Sequence, residues 1–176
     1  KEKNIGGHLL SYNGCLPSNE LKILDQQRYK CTNYYNEVLE FLKSNNEIKK
    51  IILFYRWDLY YNGTRFDNEL GGKEKGKDHI TINVNSENKK NNFNINELNT
   101  AIKNFLKKIK ALDKEVIVIK STPEMGWEIP TFLAKKILRT DQVDRKFLSV
   151  NKDLFLERNI NFNKFLDNIK DDLQLY

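Results

Sequence analysis

The chain has 176 residues, enough for one domain around a single hydrophobic core, and we predict one domain over residues 1–176. Its hydrophobic content of 39% and charged content of 31% are typical of a globular protein, and no stretch reaches the roughly 18 apolar residues of a membrane span. The net charge is +6, but the lysines are dispersed along the chain. The sequence therefore predicts that nucleic acid is not a partner.

The first segments predict a strand, a turn and a polar loop. Residues 5–12 are typical of a short strand, and the residues Asn-Gly-Cys-Leu-Pro that follow have the composition of a turn. Residues 18–30 are polar, which indicates a surface loop or a short helix. Cys15 and Cys31 flank this loop and are the two cysteines of the chain, which favours a disulfide over two separate buried thiols.

A disulfide would indicate an oxidising compartment such as a periplasm or the cell exterior. A metal site is not predicted, because neither His8 nor His79 lies at ligand spacing from the cysteines. No cofactor is expected.

The next two elements are predicted to be a helix and a buried strand. Thr32 or Asn33 is a suitable helix cap, and one apolar face follows. The run from Ile51 to Tyr55 is apolar without alternation, which favours a parallel strand covered on both faces over a buried helix segment.

The carboxyl end of this strand is the first candidate site. Arg56 and Trp57 follow it directly, and Tyr60 comes shortly after. Ligands of open α/β sheets bind outside the carboxyl ends of the strands, and a guanidinium beside an indole suits a sugar or an anion. The alternative, equally supported by the residues, is a structural Arg-Trp pair.

The remaining elements alternate between helix and strand. A long excursion over residues 62–92 contains one short strand near Ile82, and Asn94 with Glu97 predicts a capped helix. Val116–Ile119 is a second buried strand that leads to Glu124. A helix follows from Pro130, residues 141–158 are expected to be irregular, and a last helix carries the apolar residues Phe162, Phe165, Leu166, Ile169 and Leu173. This order predicts an α/β fold, a three-layer sandwich with a mostly parallel sheet.

Three segments spaced along the chain form a set of motifs. They are Asn13 to Pro17 with Cys31, Leu53 to Trp57 with Tyr60, and Val116 to Ile119 with Pro123, Glu124 and Pro130. In order and spacing they resemble the SGNH domains fused to, or partnered with, membrane acyltransferases of the acyltransferase-3 family. Those proteins O-acetylate surface polysaccharides, and the resemblance covers roughly Ile5 to Leu138.

The resemblance implies an SGNH/flavodoxin-like fold that is incomplete at both ends. The Gly-Asp-Ser-His and Asp-x-x-His motifs that supply the nucleophile and base of that family do not occur in this sequence, so no catalytic residue is assigned. Gly14 takes the place of a glycine whose backbone N–H lines the oxyanion hole. Arg56 and Trp57 stand where typical SGNH hydrolases have Gly-x-Asn-Asp. With Tyr60 and Glu124 they are the candidates for substrate binding.

The function implied is that of a periplasmic domain of an inner-membrane acyltransferase. It would transfer acetyl groups to hydroxyls of a cell-surface glycan through a serine acyl-enzyme. The expected partners are the glycan acceptor and a membrane acyltransferase domain in the same or a partner chain. This chain alone is expected to be inactive. The alternative is a non-catalytic glycan-binding module that uses the strand end at Arg56.

The resemblance also predicts a vacancy in the sheet. In the SGNH arrangement the serine-bearing strand lies between the strands that correspond to residues 8–12 and 51–55. If that strand is missing, these two segments should stand apart with unpaired backbone edges, at about twice the usual 4.8 Å spacing.

Overall fold

The computed structural model of the protein describes residues 6–23, 30–76, 81–84, 94–140 and 148–176. Nine elements follow one another in these ranges, and the fold class predicted from the sequence, α/β, is confirmed. The elements are β1 (Leu21–Ile23), α1 (Cys31–Ser44), β2 (Lys50–Phe54), α2 (Trp57–Asn62), β3 (Thr81–Asn83), α3 (Ile95–Lys110), β4 (Glu115–Ile119), α4 (Ile129–Thr140) and α5 (Lys152–Leu173).

The centre of the fold is a small parallel sheet made of β2 and β4. The two strands pair in register from Lys50 opposite Glu115 to Phe54 opposite Ile119. Both strands were predicted from their apolar runs, and both are confirmed. Because the strands are parallel, their carboxyl ends lie at the same edge of the sheet, where the predicted site residues follow them.

The two faces of this sheet differ in burial. Leu53 and Val116 are buried in the hydrophobic core, whereas Ile52 and Phe54 on the other face are 62% and 58% exposed. The prediction that β2 is covered on both faces is therefore wrong for the described residues. The physical reason is that the described helices supply core contacts to one face, so a run without alternation gives no protection to the other. The sheet is incomplete in this sense.

Helix α3 provides much of the core and begins as the sequence predicts. The side chain of Asn94 accepts hydrogen bonds from the backbone N–H groups of Asn96 and Glu97, so the predicted cap is confirmed. The buried stripe that follows has the helical spacing that the sequence indicated. Its members are Leu98, Ala101, Ile102, Phe105, Leu106 and Ile109.

The beginning of the chain departs from the prediction. Residues 6–12 have no regular secondary structure, and Leu9 is 92% exposed, so the strand predicted over residues 5–12 is wrong where the structure describes it. The first strand is instead β1, which pairs antiparallel with β3. Leu21 and Ile23 are buried on either side of the exposed Lys22, a strand alternation too short to stand out within a polar segment.

The predicted disulfide is confirmed. Cys15 and Cys31 are joined, with an S–S distance of 1.98 Å and Cα atoms 5.5 Å apart. Cys31 is the first residue of α1, so the helix begins before the predicted caps Thr32 and Asn33. Closing a loop of this size stabilises the fold by about 3 kcal/mol in the chain-entropy model. The bond ties the turn around Gly14 to the first turn of α1.

Helix α5 is longer than predicted. It begins at Lys152, with Asn151 accepting a hydrogen bond from the N–H of Asp153, so the irregular stretch predicted through Arg158 is wrong over its last part. Residues 141–147 lie outside the described ranges. All five apolar residues predicted for this helix are buried, which confirms its role in the core.

The prediction of a vacancy in the sheet agrees only in part with the structure. No hydrogen-bonded ladder joins β2 to residues 8–12, but these residues do not form a strand, so a gap between two facing strands is not present in the described ranges. The free edge of β4 bonds the last residue instead. Val118 donates to the carbonyl of Tyr176 at 2.8 Å, and Tyr176 donates to that of Val116 at 3.1 Å.

Within the described ranges, no helix has both the length and the apolar character that crossing a bilayer requires.

Candidate functional site

A cavity of about 740 Å³ opens at the carboxyl ends of β2 and β4. We call it the strand-end cavity. Its volume is in the range of small-molecule sites, and its position is the one that open parallel sheets use for ligands. It is lined by residues that follow the two strands, by the loop after α2 and by the start of α4: Phe54, Tyr55, Arg56, Asp58, Gly71, Lys73, Glu74, Lys75, Thr122, Pro123, Glu124, Met125, Gly126, Trp127, Glu128, Thr131, Phe132 and Lys135.

Arg56 is the centre of the polar wall of this cavity. Its two terminal nitrogens donate to the two carboxylate oxygens of Glu74, each at 2.8 Å, and Nη2 also donates to Oε1 of Glu124. Nη1 of Arg65 also donates to Oε1 of Glu74, at 2.8 Å. The structure thus brings together two of the predicted binding residues, Arg56 and Glu124, and adds Glu74 between two guanidinium groups.

Glu124 links this wall to α5. Its second oxygen, Oε2, accepts a hydrogen bond from Nε of Arg158, and Nη2 of Arg158 donates to the carbonyl of Thr64 at 2.7 Å. The side chains of Glu124 and Arg158 are only 9% and 11% exposed. Charges therefore alternate through one connected set, Arg65–Glu74–Arg56–Glu124–Arg158, which we call the ion-pair network.

The network shifts the pKa of two of its members, Glu74 and Arg56, in the direction that favours their charged forms. The hydrogen bonds from Arg56, with the charges of Arg56 and Arg65, lower the pKa of Glu74 to about 2 although partial burial acts in the opposite direction. The hydrogen bond to Glu74 likewise raises the pKa of Arg56. Arg56 and Glu74 are therefore both charged throughout the physiological range.

Asp58 is a buried carboxyl group beside the network. It is 1% exposed, lies in the first turn of α2 and lines the strand-end cavity. Burial, followed by a hydrogen bond to Glu124 and the charge of that residue, raises the pKa of Asp58 to about 7. Within the described residues, no N–H or O–H group donates to its Oδ2 atom.

The other two predicted binding residues lie in the core. Trp57 is 1% exposed, stacks on Phe162 with ring centroids 4.5 Å apart and donates from Nε1 to the carbonyl of Ile119 at 2.8 Å. Tyr60 is 5% exposed. Neither lines the strand-end cavity. A substrate contact by either side chain stays a prediction, and it would require that side chain to leave the core.

Gly14, the predicted oxyanion glycine, lies in the turn before the disulfide with a φ of 84°, a conformation that favours glycine. It is not among the residues that line the cavity. Two tyrosines connect the turn to the cavity wall. The hydroxyl of Tyr35 donates to the carbonyl of Cys15 at 3.3 Å and lies 2.9 Å from the hydroxyl of Tyr55, which lines the cavity. The role of Gly14 stays a prediction.

The aromatic wall of the cavity depends on a glycine. Trp127 stacks on Phe132 with centroids 4.4 Å apart, and the other neighbour of its indole is the backbone of Gly72. A Cβ atom at Gly72 would lie 2.5 Å from the indole, which is closer than real Cβ contacts come. Gly72 therefore allows the loop after α2 to pack directly against the β4–α4 connection.

Sequence reasoning missed Asp58, Glu74 and Arg158 as site residues. Glu74 lies in a charged run with loop composition, where no periodicity singles out one carboxylate. Arg158 had a detectable signal, because Phe155, Asn159 and Phe162 continue the helical spacing of α5 toward its amino end. Recognition of that stripe would have placed Arg158 on a helix that packs against α2.

The chemistry of this arrangement is that of a polar binding wall. Three guanidinium groups and three carboxyl groups meet in and beside the ion-pair network, and aromatic rings also line the cavity. None of the residues that line the cavity is a serine, histidine or cysteine. In the part of the chain that the structure describes, no three His, Cys, Asp or Glu side chains cluster as metal ligands would.

Comparison with known proteins gives one family. The family described as "SGNH domain (fused to AT3 domains)" matches residues 1–175. No curated protein and no solved structure matches the chain. The matched residues include the central strands β2 and β4, the disulfide and every residue of the ion-pair network. The chain belongs to the family of SGNH domains fused to AT3 domains.

Proposed function

We propose that this chain is part of a periplasmic SGNH domain of a membrane acyltransferase, which transfers acetyl groups to hydroxyls of a cell-surface polysaccharide. The family makes it an acyltransferase-associated, hydrolase-like module. The observation that carries the finer proposal is the strand-end cavity, in which Arg56 and Glu124 form a polar wall at the carboxyl edge of a parallel sheet. The disulfide supports an oxidising compartment, as a periplasm is.

The charges of the cavity fit a neutral, hydroxyl-rich ligand. Four basic and four acidic side chains line it: Arg56, Lys73, Lys75 and Lys135, and Asp58, Glu74, Glu124 and Glu128. A site for nucleic acid would present an excess of positive charge to the phosphates. Guanidinium and carboxylate groups in fixed positions instead supply the donors and acceptors that sugar hydroxyls need. The ring of Phe54, 58% exposed, supplies an apolar surface.

The acetyl transfer itself requires a nucleophile and a base, and in this proposal both lie outside these 176 residues. Neither a Gly-Asp-Ser-His nor an Asp-x-x-His motif occurs in the sequence. In the proposed reaction a serine outside this sequence carries the acetyl group as an ester, and the acceptor hydroxyl attacks the ester carbonyl while the base takes its proton. The bond between the acetyl carbon and the serine oxygen then breaks, and the base returns the proton to the serine oxygen. Gly14 contributes a backbone N–H to the oxyanion hole, and the cavity holds the acceptor.

Replacement of Arg56 by alanine tests the acceptor role. We expect the O-acetyl content of the surface polysaccharide, measured by NMR on cells that express the protein containing this sequence, to fall at least about tenfold. The reason is that a displaced acceptor hydroxyl loses its geometry for attack. In Arg56→Lys the O-acetyl content should fall by a similar factor, because an ammonium group cannot make the bidentate contact with Glu74.

The matched control is Lys50→Ala. Lys50 is also a basic residue of this strand region in an ion pair, but it pairs with Glu115 at the opposite end of the sheet. It should leave O-acetylation unchanged. Equal O-acetylation in Arg56→Ala and wild type, with both proteins present at equal levels, would refute the acceptor role of the cavity.

The second expected result concerns the chain by itself. The 176 residues should not hydrolyse p-nitrophenyl acetate above a heat-denatured control, because no Gly-Asp-Ser-His nucleophile is present. Turnover that a serine reagent abolishes would contradict this. The alternative function, a non-catalytic glycan-binding module, is favoured by the same cavity and the same lack of turnover. It is distinguished by the Arg56→Ala cells, since loss of glycan binding alone would leave O-acetylation intact.

A further inference from the structure

The turn that contains Gly14 is held from one face of α1 by two different bonds. Cys31, the first residue of α1, is joined to Cys15 by the disulfide. Tyr35 lies four residues further along the helix, so its side chain is on the same face. Its hydroxyl donates to the carbonyl of Cys15 at 3.3 Å. The residue after Gly14 is therefore held by a covalent bond and by a hydrogen bond.

The hydroxyl of Tyr35 also joins this turn to the end of β2. It lies 2.9 Å from the hydroxyl of Tyr55, the residue between β2 and Arg56. A hydroxyl carries one proton, and a carbonyl can only accept. If Tyr35 gave its proton to Tyr55, its oxygen and the carbonyl oxygen of Cys15 would face each other at 3.3 Å without a proton between them, and they would repel. The favourable order is that Tyr55 donates to Tyr35 and Tyr35 donates to Cys15.

We propose that Tyr35 and Tyr55 are positioning residues whose chain of hydroxyls fixes the turn at Gly14 relative to the strand end next to Arg56. The consequence for acetyl transfer rests on the proposed function, in which Gly14 serves the oxyanion hole and Arg56 the acceptor site. Attack requires that the acceptor hydroxyl and the ester carbonyl meet in one geometry. The two hydroxyls connect the parts of the fold that hold these two groups.

The surroundings of Tyr35 keep its ring in place and its hydroxyl neutral. Tyr35 is 3% exposed, and its ring packs edge-on against Phe105 of α3 with centroids 5.2 Å apart. Burial raises the pKa of Tyr35 well above its usual value and raises the pKa of Tyr55 to about 12. Both hydroxyls therefore keep their protons at physiological pH, as the proposed order requires.

The first test is carbon NMR on the 176-residue chain, with the tyrosine Cζ atoms and the Cys15 carbonyl labelled. In a mixture of H2O and D2O, a hydroxyl that exchanges slowly gives two Cζ lines. We expect two lines for Tyr35 in wild type and also in Tyr55→Phe, because the proton of Tyr35 stays in its bond to Cys15. Tyr35→Phe should move the Cys15 carbonyl signal, since that carbonyl loses its donor, whereas Tyr55→Phe should leave the signal in place.

The matched control is Tyr34→Phe. Tyr34 is the preceding residue of the same helix, and its buried hydroxyl has no hydrogen-bond partner among the described residues. This variant should leave the Cys15 carbonyl signal where wild type has it. A single Tyr35 line in wild type, or loss of the second line in Tyr55→Phe, would overturn the proposal. These two measurements decide the matter even if Tyr35→Phe fails to fold.

The second test is the O-acetyl content of the surface polysaccharide in cells. Tyr35→Phe should lower it at least about tenfold, because the two halves of the site lose their fixed spacing. Tyr34→Phe should leave it unchanged at equal protein levels. If Arg56→Ala lowers O-acetylation and Tyr35→Phe does not, the positioning role is wrong and the proposed function stands. If neither variant lowers it, the proposed function fails as well.

Discussion

Trp57→Ala is expected to destabilise the protein by about 3–5 kcal/mol, since it removes a fully buried indole from the core. The indole stacks on Phe162 of α5 and its N–H bonds the carbonyl of Ile119 at the end of β4, so one side chain joins α2, α5 and the sheet. Chemical denaturation monitored by circular dichroism measures the change in the free energy of unfolding.

Phe54→Ala is the matched control for this result. It also removes a large aromatic side chain, three positions earlier, but Phe54 is 58% exposed on the open face of the sheet. Its cost should stay below about 1 kcal/mol, in the range of surface substitutions. Equal costs for the two variants would contradict the core assignment of Trp57.

Glu124→Gln is expected to cost about 3–5 kcal/mol, because it leaves Arg158 as a buried guanidinium without its counter-charge. The double variant Glu124→Leu with Arg158→Leu should recover most of this loss, since replacement of a whole buried ion pair by apolar side chains is often neutral. Both differences can be read from urea denaturation at neutral pH.

The control for charge removal is Glu115→Gln. Glu115 is paired with Lys50, whose side chain is 64% exposed, and exposed pairs contribute about 1 kcal/mol or less. If Glu124→Gln costs no more than Glu115→Gln, the ion-pair network does not stabilise the cavity wall, and Glu124 is held by other contacts.

The strands and helices that the sequence revealed are those with strong periodicity. The buried stripe of α3, with its Asn94 cap, and the two apolar strands β2 and β4 are regular enough for their type to be read directly. β1 was missed because Leu21 and Ile23 form an alternation of only three residues. The open face of β2 could not be predicted, since an apolar run does not record which of its faces a helix covers.

The residues of the candidate site were likewise predicted only in part. Position at a strand end was enough to select Arg56 and Glu124, which the structure places in one ion-pair network. It was not enough to separate Arg56 from Trp57, adjacent residues whose side chains go to the cavity and to the core. Glu74 lies 18 residues from its partner Arg56 in the sequence, and Arg158 lies 34 residues from its partner Glu124. Pairs so far apart cannot be predicted from the local sequence.

The uncovered face and free edge of β2 have a consequence for the behaviour of this chain in concentrated solution. An exposed apolar strip is formed by Ile52, Phe54 and Ile119, and it lies beside backbone groups of β2 that pair with no described strand. Two copies of the chain can associate through such a surface. The charge of +6 opposes such contact through mutual repulsion. Added salt shortens the range of that repulsion and strengthens apolar contact, so purification at low ionic strength favours the dispersed protein.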